Sequence, residues 1–419
     1  MAQLALQGGA PVIETPPEQC WPIFDTRDEQ ALLEVFRSGQ WWRGGTAEAQ
    51  AQSRTGQFEK AFADYQGANH ALALNSGTTA VEVALRAAGV KAGDEVIVPA
   101  ISFVVTASAC LPLGAYPVFV DVDPYTAQID PDAIEAAISP RTTAICLVHF
   151  GGYPADMDRL PRIARKHNLA LIEDCAHAHG SQWRGHGVGT FGEYGTFSFQ
   201  QFKALTAGEG GLIVTNSLDR WRAAYRFHNL GRLEHKGLYE FHEPASNLRL
   251  TDLQGALLHS QMPRFKAQVA RRNEACERLD AALNEIEGIE PQPPDERITR
   301  RGFYFYVYRY NQEAFKGLPR DRFLEALRAE GVPGVGKGYN RALYDYSLFR
   351  ELEVPAEHTH CRYEQVDCPV AKRLAEQELC TFTHQTLLLD DAWLDRIAQA
   401  VAKIRENVDE LIQPSSQPA

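Results

Sequence analysis

The sequence predicts an α/β protein: a large domain built on a mostly parallel mixed sheet flanked by helices, followed by a smaller C-terminal α/β domain. Two observations carry this. From about residue 55 to 260, short apolar runs alternate with helix-length segments, and within each run the hydrophobics are continuous rather than alternating, as in strands buried on both faces. Beyond Ser260 the pattern gives way to one long polar helix and then to the proline-rich stretch Pro291-Gln292-Pro293-Pro294, the expected domain boundary.

In chain order, the expected strands are Ala71 to Leu74, Glu95 to Pro99, Pro117 to Val122, Thr143 to Val148, Leu169 to Ile172, Thr196 to Phe199 and Gly211 to Val214. Between them, Ser76 through Ala88 carries Val81, Ala84, Leu85 and Ala88 at helical spacing, and Asp156 can cap a helix running to His167. A long helix is expected over Pro263 to Leu283. Strand Phe303 to Tyr310 and helices Asp321 to Ala329 and Ala392 to Ile404 follow it. The division is then an N-terminal arm (1–20), a large domain (21–262), a connecting helix (263–290), a small domain (291–412) and a disordered tail (413–419).

Composition narrows the class. With 44% hydrophobic and 23% charged residues the chain is ordinary globular protein, and no apolar run approaches the ~20 residues that cross a bilayer. The start, Met1-Ala2-Gln3-Leu4-Ala5-Leu6, lacks a basic, apolar secretory pattern, so a cytoplasmic location is expected. A net charge of -12 opposes phosphate tracking along nucleic acid. The eight cysteines form no CxxC pair and read as reduced core residues. The cluster Arg297, Arg300 and Arg301 is either a solvated loop or an anion contact.

Lys203, Asp174 and Ser76-Gly77-Thr78-Thr79 offer an amine, an acid and an anion cradle, the three groups that pyridoxal phosphate chemistry needs. Lys203 lies just past a strand, in a turn rich in glycine (Gly208, Gly210, Gly211), where parallel sheets place their sites. Alone it would pass for a surface lysine. Asp174, 29 positions earlier, ends an apolar run; a carboxylate there is either a turn cap or the partner of a buried cation. Ser76-Gly77-Thr78-Thr79 opens a helix directly after a strand, as a simple N-cap or as an anion site. His177 and His179 lack a third ligand at zinc-like spacing, so no metal is expected, and His177 reads better as a cofactor neighbour. Phe103 is a core aromatic or a face for a flat ring, and Trp41-Trp42 reads as packing.

Together these segments resemble the DegT/StrS-type sugar and cyclitol aminotransferases, a branch of the fold type I pyridoxal phosphate enzymes. The likeness also takes in Gly93 to Pro99, Val120-Asp121-Val122-Asp123 and Asn247-Leu248-Arg249-Leu250-Thr251-Asp252. It implies Lys203 as the Schiff-base lysine, Asp174 on the pyridine nitrogen, Phe103 stacked on the ring, and Gly77, Thr78 and Ser198 on the phosphate. It also implies a homodimer in which Asn247 reaches the neighbouring subunit's pocket. Retention of Lys203 favours transamination over dehydration. Gln200-Gln201 and Leu205 to Gly211 look like the branch acting on scyllo-inosose-type ketocyclitols, Gln40-Trp41-Trp42-Arg43 looks like 3-amino-5-hydroxybenzoate synthase, and Phe202 stands where that branch often has glycine. The implied reaction moves nitrogen from L-glutamine or L-glutamate to a ring ketone. The alternatives are a nucleotide-sugar aminotransferase, using Lys337, Arg341 or Arg300 on a diphosphate, a 3-amino-5-hydroxybenzoate synthase-like enzyme, and a cofactor-binding regulatory protein.

Overall fold

The seven apolar runs become the strands of a single sheet: β1 (His70–Leu74), β2 (Glu95–Pro99), β3 (Tyr116–Val120), β4 (Thr142–Val148), β5 (Ala170–Asp174), β6 (Tyr194–Ser198) and β7 (Gly211–Thr215). This is a computed structural model that describes residues 3–17, 21–234, 236 and 239–412; the tail 413–419 and Cys20 lie outside the described residues. The strand order is β1-β7-β6-β5-β4-β2-β3. Only β7 runs against its neighbours, β1 and β6; β6-β5-β4-β2-β3 pair parallel. Residues such as Ile97, Ile145, Ile172 and Leu212 are buried, which is why these runs lack alternation.

Register sets where chemistry can occur. Val148 pairs with Asp174 and Asp174 with Thr196, while Leu74 and Ser198 both face Gly211. The carboxyl ends of β1, β4, β5 and β6 therefore share one edge, and helix α1 (Gly77–Ala87) starts at that same edge. The helix expected from Asp156 starts later, at Leu160–Lys166; Asp156 instead accepts from the N–H groups of Asp158 and Arg159 in the turn ahead of it.

The long helix differs from expectation at its start. It is α2 (Asp252–Leu283), so a boundary at 262/263 falls inside a continuous helix with Pro263 in its interior. Thr251 and Gln254 form a reciprocal capping box that initiates the helix eleven residues before the proline. An internal proline removes one ladder bond and costs about 3 kcal/mol. Against it stands a buried stripe, Leu258, Met262, Phe265, Val269, Arg272, Cys276, Leu279 and Leu283, that passes Pro263 without changing phase. Its N-terminal half packs with Phe58, Phe62 and Phe199 under the large sheet. Its C-terminal half enters a second core with Phe323, Leu324, Ile397 and Val401.

That second core lies under an antiparallel sheet of β8 (Ile289–Pro291), β9 (Phe305–Tyr310), β10 (Val335–Gly336) and β11 (Leu379–Thr383), ordered β8-β9-β11-β10. The Pro291 end of the expected linker is an edge strand, a position that tolerates proline. Leu4 and Ile13 of the N-terminal segment are buried in this core, and Glu330 accepts from the N–H groups of Ala5 and Val12. Residues between Ala342 and Leu374 pack instead against the large sheet, where Tyr363 donates to the Pro117 carbonyl and Asp121 accepts from Val370 and Ala371.

Candidate active site

At the carboxyl edge of the large sheet lies a cleft of about 390 Å³. Gly77, Thr78, Phe103, Asp174, His177, Ser198 and Lys203, each singled out from sequence, all line it. Asn247 does not; it stands exposed, bridged to Asn229.

Ser76 caps α1 through an Oγ that accepts from the Thr79 N–H at 3.1 Å. The first-turn N–H groups of Gly77 and Thr78 have no intrahelical acceptor and face the cleft with the positive helix end. Glycine at 77 is a packing requirement: a Cβ there would lie 2.5 Å from the Ser198 Cβ and 2.9 Å from its Oγ. Helix start and strand end thus meet closely enough to form a cradle of N–H and hydroxyl donors.

Asp174 is 5% exposed at the end of β5. Its Oδ2 accepts from Thr106 Oγ1 at 2.7 Å, and its Oδ1 accepts from the Ala176 N–H at 3.1 Å. Thr106 in turn lies 2.8 Å from Ser102 Oγ, so a hydroxyl chain leads to the carboxylate. Burial raises the Asp174 pKa; the Thr106 and Ala176 hydrogen bonds and the Lys203 charge oppose it. A cationic partner arriving in the cleft would complete the neutralisation that these groups begin.

Lys203 is 9% exposed, with Nζ 3.8 Å from the centre of the Tyr304 ring. Burial lowers its pKa to about 8, with Asp174 pulling the other way. At neutral pH roughly one amine in ten is then the free base, against about one in several thousand for an ordinary lysine. The turn that carries it is closed by hydrogen bonds from the Lys203 N–H to the Gln200 carbonyl, 2.8 Å, and from the Gln201 N–H to the Gly208 carbonyl, 2.9 Å.

His177 is buried, stacked on Tyr304 at 4.4 Å, and Tyr339 Oη lies 3.0 Å from its Nε2. Its Nδ1 accepts from the Gly151 N–H, so Nε2 carries the proton toward Tyr339. Burial and the Lys203 charge hold its pKa well below the ordinary value, and it is neutral at physiological pH. His179, likewise buried, reaches the Ser198 carbonyl at 2.8 Å. Phe103, 54% exposed, offers its ring to the cleft and lies 6.2 Å from Tyr339.

Sequence reading passed over Thr106, Tyr304 and Tyr339. Thr106 sits three residues beyond Phe103 on a short helix, a spacing that could have flagged it; the two tyrosines arrive from the C-terminal third with no local motif. The arginines of the cluster are half-buried and engaged within the chain: Arg297 pairs with Asp295 and Asp156, Arg300 donates to the Gly180 carbonyl over the Tyr65 ring, and Arg301 donates to Gln292.

Residues 22–402 match the model of the DegT/DnrJ/EryC1/StrS aminotransferase family. The chain belongs to that family. It is 39% identical to the L-glutamine:scyllo-inosose aminotransferase of Streptomyces griseus, over 98% of this chain and 99% of the relative. It is 38% identical to the L-glutamine:2-deoxy-scyllo-inosose aminotransferase of Streptoalloteichus tenebrarius, over 97% and 99%. Among solved structures, 3-amino-5-hydroxybenzoic acid synthase superposes with a TM-score of 0.82 at 35% identity, covering 93% of this chain and 99% of that one. The protein is an aminotransferase with the fold type I architecture, as the sequence resemblance implied.

Proposed function

We propose that this aminotransferase uses pyridoxal 5'-phosphate to move an amino group from L-glutamine to a ring ketone of a scyllo-inosose-like cyclitol, acting as a cytoplasmic homodimer with shared active sites. One observation carries the cofactor: a single cleft joins the desolvated Lys203 amine, the buried Asp174 carboxylate and the Gly77–Thr78–Ser198 cradle. When bound, the cofactor supplies an electron-accepting ring on which nitrogen is exchanged between donor and acceptor.

In this reading Asp174 would hold the protonated pyridine nitrogen and keep the ring electron-poor, Gly77, Thr78 and Ser198 would bind the phosphate, and Phe103 would offer its face to the ring. Lys203 would hold the cofactor aldehyde, and its amine would carry the proton to and from the substrate carbon. Tyr304 and His177 pack around that amine and exclude water. Gln200, Glu209 and Tyr339 line the same cleft and supply hydrogen-bonding groups suited to a polyhydroxylated ring.

The glutamine donor and cyclitol acceptor follow the named relatives, and the internal contacts of the basic residues agree with them. Lys337 is paired with Asp321 at 2.7 Å and Arg300 donates to the Gly180 carbonyl over the Tyr65 ring, so each would have to give up a contact to take the diphosphate of a nucleotide sugar; Arg341, exposed beside the Tyr346 ring, does not discriminate. The dimer draws support from Phe24, Phe36, Trp41, Trp42 and Phe202, apolar side chains about half exposed or more, and from the position of Asn247 outside the cleft. The seven cysteines among the described residues are free and buried, as suits a reducing compartment.

The test is to load the purified protein with cofactor, add L-glutamine alone, and follow loss of the visible cofactor band; scyllo-inosose should then restore it. Conversion with L-glutamate but not L-glutamine, together with tight binding of a nucleoside diphosphate, would favour the nucleotide-sugar reading. Cofactor binding without turnover of any amine would favour a regulatory role.

A further inference from the structure

Arg272 is fully buried on the stripe of α2, between the two halves that enter different cores, and no carboxylate among the described residues pairs with it. Its Nη2 lies 3.0 Å from His384 Nδ1 and its Nε 3.3 Å from the His384 carbonyl, while Nη1 is buried without a partner. An uncompensated guanidinium in this position is costly, so its retention calls for a physical reason. The answer lies on the far side of His384, where Nε2 is 3.1 Å from the carbonyl of Phe202, the residue before Lys203.

The tautomer follows without choice. Arginine is only a donor, so His384 Nδ1 must be the acceptor; the one ring proton is then on Nε2, directed at the Phe202 carbonyl. Protonating His384 would set an N–H against the guanidinium. Burial and the Arg272 charge accordingly hold its pKa well below the ordinary value. Next to it, Trp21 Nε1 donates to the Gln201 carbonyl at 2.9 Å, and the Trp21 ring meets the His384 ring edge-on at 4.5 Å. The two carbonyls preceding Lys203 are therefore both held by side chains from distant parts of the chain.

We infer that His384 is a positioning residue for Lys203, holding the Phe202–Lys203 peptide through Nε2–H, and that Arg272 locks His384 in the only tautomer that can do so. The inference rests on Lys203 being the reactive amine. It explains an unpaired buried cation: a carboxylate in its place would accept from Nδ1–H and so turn the lone pair, not the proton, toward the Phe202 carbonyl. Misplacement of a reacting group by about 1 Å can cost on the order of 100-fold in rate. A released turn would also let the Lys203 amine reach water, away from the surroundings that lower its pKa to about 8. The ionisable groups facing that amine, Asp174, His177, His179 and Tyr304, would be unchanged.

The experiment compares His384→Phe, which keeps a ring and removes the donor, with His384→Gln, which restores an N–H near Nε2, and with Arg272→Met. Two quantities are read: kcat and KM of the cofactor-loaded enzyme, and, in the cofactor-free protein, the pH midpoint of Lys203 acylation followed by peptide mass spectrometry. For His384→Phe the expected result is a kcat lowered about tenfold or more with KM within about threefold, and an acylation midpoint displaced upward toward ordinary lysine. His384→Gln should recover most of both, and Arg272→Met should shift both in the same direction as His384→Phe. An unchanged midpoint in His384→Phe overturns the inference, even if that variant melts earlier, because a role in stability alone leaves the amine where it was. Failure of glutamine to rescue also overturns it. Should His384→Phe not fold, Arg272→Met read against His384→Gln decides in the same terms. A Lys203→Ala enzyme with wild-type turnover would instead overturn the reading of Lys203 itself.

Discussion

Replacing Thr106 by valine should weaken cofactor binding by roughly 10- to 150-fold. The two side chains are nearly equal in volume, so the change deletes one hydroxyl from a site where Thr106 Oγ1 donates to Asp174 Oδ2 at 2.7 Å, both residues buried. A hydrogen bond to a charged group contributes about 1.5–3 kcal/mol, roughly 10- to 150-fold in an equilibrium constant, and its loss should also push the Asp174 pKa further above the ordinary carboxylate range. The sign is fixed: Thr106 stabilises the carboxylate, so its removal favours the protonated acid, which cannot neutralise a protonated pyridine. The defect should therefore be largest at acid pH and shrink as pH rises. Titration of cofactor-free protein with pyridoxal phosphate, followed by the visible band and repeated at three pH values, measures it. Ser102→Ala, which removes only the next hydroxyl in the chain, should cost less than about fivefold. A Thr106→Val protein that folds normally and binds cofactor within twofold of wild type at every pH would refute the account of Asp174.

Other outcomes follow from the same geometry. Lys203→Met should abolish turnover yet stabilise the cofactor-free chain at pH 7: the folded pKa of about 8 lies below the unfolded value of 10.5, so burying the charged amine costs up to about 3 kcal/mol below pH 8, and the advantage of methionine over lysine should fade as pH climbs toward 10 in denaturant titrations. For the same reason the rate of cofactor uptake by the empty protein should rise with pH and level off above about 8, which stopped-flow absorbance can follow. Gly77→Ala should push α1 away from Ser198 and reduce affinity for the phosphorylated cofactor far more than for dephosphorylated pyridoxal, as paired equilibrium titrations would register. Mixing inactive Lys203→Ala and Asn247→Ala chains should restore up to about a quarter of wild-type activity if sites are shared between subunits, since half the dimers would carry one intact site; no recovery on verified subunit exchange would count against sharing.

What could be read from sequence, and what could not, divides along a physical line. β2 was delimited to the residue because its apolar run is continuous and ends at Pro99. Lys203 and Asp174 stood out because strand ends and glycine-rich turns leave local marks, and the cleft brings both together with Gly77, Thr78, Phe103, His177 and Ser198. Tyr304, Tyr339 and His384 left no mark: each belongs to a segment whose local pattern describes the smaller sheet, and only tertiary approach brings them to the lysine turn. Pro263 misled for the opposite reason. Its local preference for ending a helix is real, and a stripe of buried side chains on either side overrides it.

That stripe has a mechanical consequence. A rod of 32 residues, rooted by Leu258 and Phe265 in one core and by Leu279 and Leu283 in another, leaves no slack joint at which the two units could swing freely. Closure over a substrate must come from slight bending or sliding rather than from a hinge. Loss of either core strips the rod of half its support, so the chain should melt as one cooperative body, with no stage at which the smaller unit has come apart while the lysine turn remains intact.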